Sequence, residues 1–261
     1  MPTKLGQNFL RDRGITQKII DSANLQPNDF VIEIGPGEGV LTEELKKYAK
    51  TVLAIEIDPI LAKKLKEKFK NTPNVEIISA DILKINLPDL TEKFKISDNS
   101  YKVVANLPYY ITSPIIRLFL EAETKPKEMI LMVQKEVAER IVASPGKMSI
   151  LAVSVQYYAQ PELLFEVSKK AFCPVPKVDS AVIKIANTSQ SNIDLEKTKS
   201  FFRLVRAGFC AKRKTLVNNV TSSLKLDKRM IEEKLKKIGL QSNVRAQELS
   251  VEKWKEFLDI L

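Results

Sequence analysis

Histidine is absent from this 261-residue sequence, which removes the usual general base, the Ser-His-Asp arrangement and most transition-metal sites together. Any chemistry must therefore need little proton transfer by side chains, and no metal is expected. Cysteine is nearly absent too. Cys173 and Cys210 stand far apart without ligand-type spacing, so they read as ordinary reduced thiols and not as a disulfide framework or a zinc site. No apolar run approaches membrane-spanning length, and the polar start Met-Pro-Thr-Lys-Leu-Gly-Gln-Asn lacks the apolar segment of a secretion signal. A soluble, cytoplasmic protein with no membrane partner is the expectation. Internal repeats and low-complexity tracts are also missing.

What is present is a hydrophobic content of 44%, enough to bury a large core as one domain of ordinary size plus a smaller one. The net charge of +10 points to a polyanionic partner, of which nucleic acid is the commonest, although a basic surface also serves solubility alone.

Apolar runs at 30–34, 51–57, 75–79, 101–105 and 129–134 read as strands, with helical periodicity between them. The first runs into Gly35-Pro-Gly-Glu-Gly39, where glycines would let the backbone approach a ligand closely; a tight turn without a ligand is the alternative. Glu56, at the end of the second strand, is placed to bind ribose hydroxyls, and Asp58 with Pro59 reads as a helix cap and first helical residue. After the third strand, Asp81 can accept from an adenine amino group while Ile57 and Ile82 offer apolar faces to the ring. The fourth ends in Asn106-Leu-Pro-Tyr109. This turn gathers an amide, the free carbonyls before Pro108 and the ring of Tyr109, a set suited to an exocyclic amine on a flat base; turn-forming and core-capping roles would use the same residues. Ser113 and Pro114 predict the start of the next helix there.

Further on, 149–158 reads as a helix and 162–168 with 180–185 as a strand pair. Phe172, in the proline-stiffened loop between those strands, is either a buried anchor or a stacking surface. The polar segment 187–192 predicts a domain boundary, beyond which helices are expected at 195–209, 213–222, 227–237 and 250–261. From Thr188 onward sixteen Lys and Arg face nine Asp and Glu, so seven of the ten net charges lie there. Arg203, Arg206, Lys212, Arg213 and Lys214 are the densest group and could follow a phosphate backbone, or form a solvated helix face.

Taken together the motifs resemble the ribosomal RNA adenine N6-dimethyltransferase family, in its small-subunit (16S-type) branch. Gln7-Asn8-Phe9-Leu10, Glu33-Ile-Gly-Pro-Gly-Glu-Gly39, Glu56, Asp81-Ile82, Asn106-Leu-Pro-Tyr109 and Phe172-x-Pro-x-Pro-Lys-Val-Asp-Ser180 follow its order. The resemblance implies an α/β fold: a Rossmann-like, doubly wound seven-stranded methyltransferase sheet over 1–187 and a smaller all-helical RNA-binding domain over 188–261. It implies S-adenosylmethionine as methyl donor, with Gln7 and Asn8 closing over its methionine end beside Leu10, and Gly35 and Gly37 admitting its backbone. Glu56 would hold the donor's ribose, and Asp81 its adenine between Ile57 and Ile82. Asn106 and the Leu107 carbonyl, shaped by Pro108, would bind the target amine, with Tyr109 and Phe172 on either side of the target ring. Tyr110 departs from the Asn common at that position in the family. Methylation of two adjacent adenosines in a hairpin loop near the 3′ end of small-subunit rRNA, within an immature 30S particle and by a monomer, is the implied activity.

That chemistry agrees with the missing histidine, because the sulfonium is already activated and the amine needs orientation more than a base. The nearest rival is the large-subunit branch acting on 23S rRNA in macrolide resistance, which tends to carry Asn-Ile-Pro-Tyr and Lys-Val-Asn-Ser where this chain has Leu107 and Asp179. A non-catalytic ribosome-assembly factor and a nicotinamide-dependent oxidoreductase are the other readings; the second leaves residues 106–109 unexplained.

Overall fold

The computed structural model describes residues 8–188 and 194–261; Gln7 and most of the polar segment at the expected boundary lie outside them. The chain runs β1 (Phe9–Leu10), α1 (Arg13–Ala23), β2 (Phe30–Ile34), α2 (Val40–Tyr48), β3 (Thr51–Glu56), α3 (Pro59–Lys68), β4 (Val75–Ser79), α4 (Leu87–Lys93), β5 (Tyr101–Asn106) and α5 (Thr112–Leu120). It continues through β6 (Glu128–Gln134), α6 (Lys135–Ile141), α7 (Ile150–Tyr158), β7 (Ala159–Val167), β8 (Phe172–Cys173) and β9 (Ser180–Asn187). The last helices are α8 (Leu195–Gly208), α9 (Leu216–Leu224), α10 (Lys228–Lys237) and α11 (Val251–Asp259).

Seven strands form one sheet in the order β4-β3-β2-β5-β6-β9-β7, parallel from β4 to β6 and antiparallel at β9 and β7. From β2 the chain builds outward to β3 and β4 on one side, then returns to place β5 and β6 on the other. Successive crossovers therefore diverge between β2 and β5, which opens a crevice at the carboxyl ends of the strands. The central strands are apolar and buried on both faces, as parallel strands covered by helices require. Glu56 and Glu128 stand at strand ends, and two further buried charges lie within the strands. Glu33 sits near the carboxyl end of β2. Lys102 in β5 reaches the opposite edge, where its Nζ meets Asp29 at 3.1 Å, Glu128 at 3.0 Å and the carbonyls of Ala23 and Asn24.

The sequence did not mark β1 and β8, which pair antiparallel as a two-stranded ribbon, nor α4. Helix α5 begins at Thr112, directly after a 3-10 turn over Tyr109–Ile111, so Ser113 and Pro114 lie within its first turn and Ser113 is not its cap. Proline is tolerated there because a first-turn N–H has no intrahelical partner. Helix α9 starts at Leu216, not 213, because the Thr215 hydroxyl caps it by accepting from the Asn218 N–H.

The described residues divide into two compact units: those up to Glu139 with Ala159–Asn187, and Arg140–Tyr158 with Thr188–Leu261. The second has its own apolar core, in which Met148, Ala152 and Val153 pack with Phe201, Leu204, Val220, Leu235, Trp254 and Phe257. Helix α7, expected in the first domain by its place in the chain, thus belongs to this helical unit. No helix among the described residues is long and apolar enough to cross a membrane.

Candidate active site

Four strand ends deliver the polar groups of the sheet unit to one cavity. After β2, Gly35 and Gly37 take φ of +64° and +59°, a region costly for other residues. A Cβ on Gly37 would also stand 3.1 Å from the Phe9 ring. The turn is held from β3: the Ile55 carbonyl accepts from the Gly35 N–H at 2.9 Å, and Glu56 Oε2 accepts from the Gly37 N–H at 3.0 Å. Glu56 Oε1 accepts from the Asp58 N–H at 2.9 Å. A buried carboxylate thereby fixes the turn through both oxygens, each keeping a lone pair for a ligand. Asp58 caps α3 and Pro59 opens it, as the sequence indicates. Asp81 caps the 3-10 turn over Ile82–Lys84 through Oδ1, which accepts from the Leu83 N–H at 3.0 Å, while Oδ2 stands 3.9 Å from Lys84 Nζ.

Glu33 lines the same cavity and is buried. Its Oε2 accepts from the Thr42 hydroxyl at 2.6 Å, whereas Oε1 is buried with no hydrogen-bond partner among the described residues. Burial pushes this carboxyl up to about 8, with the Thr42 bond opposing the rise and the Glu56 charge adding to it. A buried carboxyl oxygen of this kind beside a cavity can meet a cation, whose charge would favour loss of the carboxyl's proton. In the sequence Glu33 stands within the glycine motif with no expected role of its own. The available signal was a carboxylate inside an otherwise apolar strand.

After β5 the Asn106 Nδ2 donates to the Asn8 carbonyl at 3.5 Å, a long bond, and Oδ1 accepts nothing among the described residues. Leu107 is anchored by its N–H to the Met132 carbonyl at 3.1 Å, and its own carbonyl accepts nothing among the described residues. Pro108 starts the 3-10 turn that presents Tyr109, whose hydroxyl shares a 2.9 Å hydrogen bond with Ser180 Oγ. Phe172, left open as anchor or stacker, is 3% exposed and packs with Leu10, Val167 and Val182, yet its ring still forms part of the cavity wall.

The structure thus brings Asn8, Leu10, Gly35, Gly37, Glu56, Ile57, Asp81, Ile82, Asn106, Leu107, Pro108, Tyr109 and Phe172 to one place, and adds Glu33, Leu83 and the exposed Tyr110. Arg203, Arg206, Lys212, Arg213 and Lys214 belong to the helical unit and are not among the residues that line this cavity. All five are exposed and none makes an ion pair among the described residues. The first two ride on α8, and the others occupy the turn before α9. That turn is pinned by buried Asn219, whose Nδ2 donates to the Gly208 carbonyl at 2.6 Å and the Ala211 carbonyl at 3.0 Å.

Comparison with known proteins gives this arrangement a family. A protein from Dehalococcoides mccartyi described as ribosomal RNA small subunit methyltransferase A is 47% identical over 251 residues, covering 96% of this chain and 85% of the relative. Among solved structures, the 23S rRNA methyltransferase ErmE is 31% identical with a TM-score of 0.78, covering 97% of this chain and 99% of its own. A dimethyladenosine transferase from Plasmodium falciparum is 26% identical at the same TM-score, covering 95% of each chain. The model of the ribosomal RNA adenine dimethylase family matches residues 1–261, and with relatives alike over nearly their whole length this chain belongs to that family of methyltransferases.

Proposed function

We propose that this enzyme methylates the N6 amine of two adjacent adenosines in a hairpin loop near the 3′ end of small-subunit rRNA, to the dimethyl state, as a step in ribosome biogenesis. One observation carries the reading: two free acceptors on consecutive residues, Asn106 Oδ1 and the Leu107 carbonyl, held by the sheet at the rim of the cavity. A pair of acceptors suits an amino group with two hydrogens and offers nothing to a carbonyl-bearing base edge.

Family membership implies S-adenosylmethionine as the donor, and the residues present fit it. Glu33 Oε1, buried without a partner among the described residues, would meet its cationic amino-acid end, with Asn8 and Leu10 beside it and Gln7 preceding them in sequence. Gly35 and Gly37 leave room for its backbone, Glu56 would hold the ribose hydroxyls, and Asp81 the adenine amine between Ile57 and Ile82. The donor supplies an activated methyl carbon, so that the new N–C bond forms as the S–C bond breaks.

The chain's own part is orientation. An adenine amine is a poor nucleophile because its lone pair is delocalised into the ring; acceptors at Asn106 and Leu107 favour a pyramidal nitrogen and point that lone pair at the methyl. Tyr109, steadied by Ser180, and Phe172 would flank the target ring. The surplus proton leaves to water, which is why no histidine is needed. The adenosine must leave its stack to reach the cavity, and unpaired loop bases cost least to extract.

The helical unit, which in this reading comprises 188–261 with 140–158 and not 188–261 alone, supplies RNA affinity through Arg203, Arg206, Lys212, Arg213 and Lys214. The partner is small-subunit RNA in an immature 30S particle, met in the cytoplasm by a monomer. Greater identity to a small-subunit relative than to the large-subunit ErmE supports this branch, as do Leu107 and Asp179. Tritiated methyl transfer to under-methylated subunits, followed by primer extension, tests it: stops at adjacent adenosines in small-subunit RNA are expected. Stops confined to large-subunit RNA would overturn the assignment.

A further inference from the structure

Residues 8–11 touch both sides of the cavity at once. Toward the glycine turn, the Phe9 ring lies against Gly37, and Arg11 grips Glu38 with two parallel bonds, Nη1 to Oε2 at 2.5 Å and Nη2 to Oε1 at 3.0 Å. Toward the loop that carries Phe172, Phe9 and Leu10 pair with Cys173 and Phe172, and the Arg11 N–H donates to the Ala171 carbonyl at 2.8 Å. The Asn8 carbonyl meets Asn106 between them. Four consecutive residues therefore span from the donor-side turn to the target-side loop.

We propose that this strap couples the two ligands, so that donor and RNA bind with positive linkage, and that Arg11 and Glu38 are the positioning pair that transmits it. The proposal rests on the functional reading above. A ligand that settles on the glycine turn fixes Glu38, hence Arg11, hence β1 and the strand paired with it. The second ligand then meets a loop already ordered, and the effect is reciprocal. Arg11 and Glu38 side chains are 51% and 39% exposed, so their pair contributes little to global stability. Its loss should therefore change linkage without unfolding the protein.

The experiment measures affinity for a small-subunit hairpin RNA with and without saturating S-adenosylhomocysteine. The unaltered enzyme should bind the hairpin about fivefold tighter with that ligand, the low end of ordinary coupling. Arg11→Ala and Glu38→Ala should each bring the ratio close to one at an unchanged thermal midpoint, and the exchanged pair Arg11→Glu with Glu38→Arg should recover most of it. A ratio of one in the unaltered enzyme, a full ratio in the single variants, or an exchange no better than either single would overturn the strap. An enzyme that binds S-adenosylhomocysteine and hairpin independently refutes the linkage alone, whereas one that binds neither removes the functional reading and the strap with it.

Discussion

The sheet unit and the helical unit solve opposite problems with their polar residues. In the first, polar side chains are drawn inward and fastened: Glu56 to the backbone of Gly37 and Asp58, Asn106 to the Asn8 carbonyl, and the Tyr109 hydroxyl to that of Ser180. In the second, the interior is almost wholly apolar around Trp254, and the cations of 203–214 stay on the outside. Groups that must meet one atom need fixed directions, whereas groups that meet a phosphate backbone need only charge in a suitable place. The contrast predicts that changes in the two units will separate chemistry from affinity and stability.

The largest effect belongs to the helical core. Trp254 is fully buried, and so close to Gly208 that a Cβ there would come within 2.3 Å of its ring. Trp254→Ala should cost about 3–5 kcal/mol of stability. Urea unfolding followed by circular dichroism checks this, since the sequence has no other tryptophan for fluorescence; donor-analogue affinity below the transition should be unchanged. Next comes Asn106→Ala, expected to slow turnover by roughly a hundredfold or more, as removal of one preorganised polar group does. Hairpin affinity and thermal midpoint should stay within error, and an unchanged turnover in a single-turnover methyl-transfer assay would erase the distinction between the units.

Replacing Lys212, Arg213 and Lys214 together by Ala should weaken hairpin binding and lower the slope of log affinity against log salt by about 2, at ~0.7 per lost contact with single-stranded RNA. Turnover at saturating RNA should be unaffected, a KM effect set against the kcat effect of Asn106. The smallest effect is electrostatic. Glu33 holds its proton up to about 8 in the folded protein, against an ordinary value of 4.5. The folded state thus binds a proton that the unfolded chain releases, and the stability this confers is complete below the ordinary value and lost as pH rises through about 8. Glu33→Gln cannot titrate, so its thermal midpoint without donor should fall less than that of the unaltered protein between roughly pH 6 and 9.

Much of the cavity wall in the sheet unit was legible because each candidate residue closely follows an apolar run: the glycine turn after Ile34, Glu56 and Asp81 at the next two strand ends, Asn106 at the fourth. Period and punctuation there coincide with the ligand edge. What escaped was long-range or too short to have a period. The ribbon of β1 with β8 uses two residues a side, and nothing local links Phe9 to Cys173. Helix α7 has good helical periodicity but no mark of which core it would join. The start of α5 was displaced because a 3-10 turn took up the residues before Thr112. The state of Glu33 depends on Thr42 and on burial, neither visible in a linear motif. For the five cations, sequence offered a charge density and no geometry. Only Asn219, a buried amide eight residues beyond Ala211, reveals that their turn is built.

Strand β5 lies between β2 and β6 in continuous register, Val103 facing Ile32 on one side and Met129 on the other. Its last residue and the one after it carry both free acceptors. Side chains along a strand alternate in direction, so a single inserted or deleted residue between 101 and 106 would turn the Asn106 amide toward the opposite face. Natural or laboratory variation in length should therefore gather in the connection from 94 to 100 and beyond Leu120, leaving this six-residue ruler uncut.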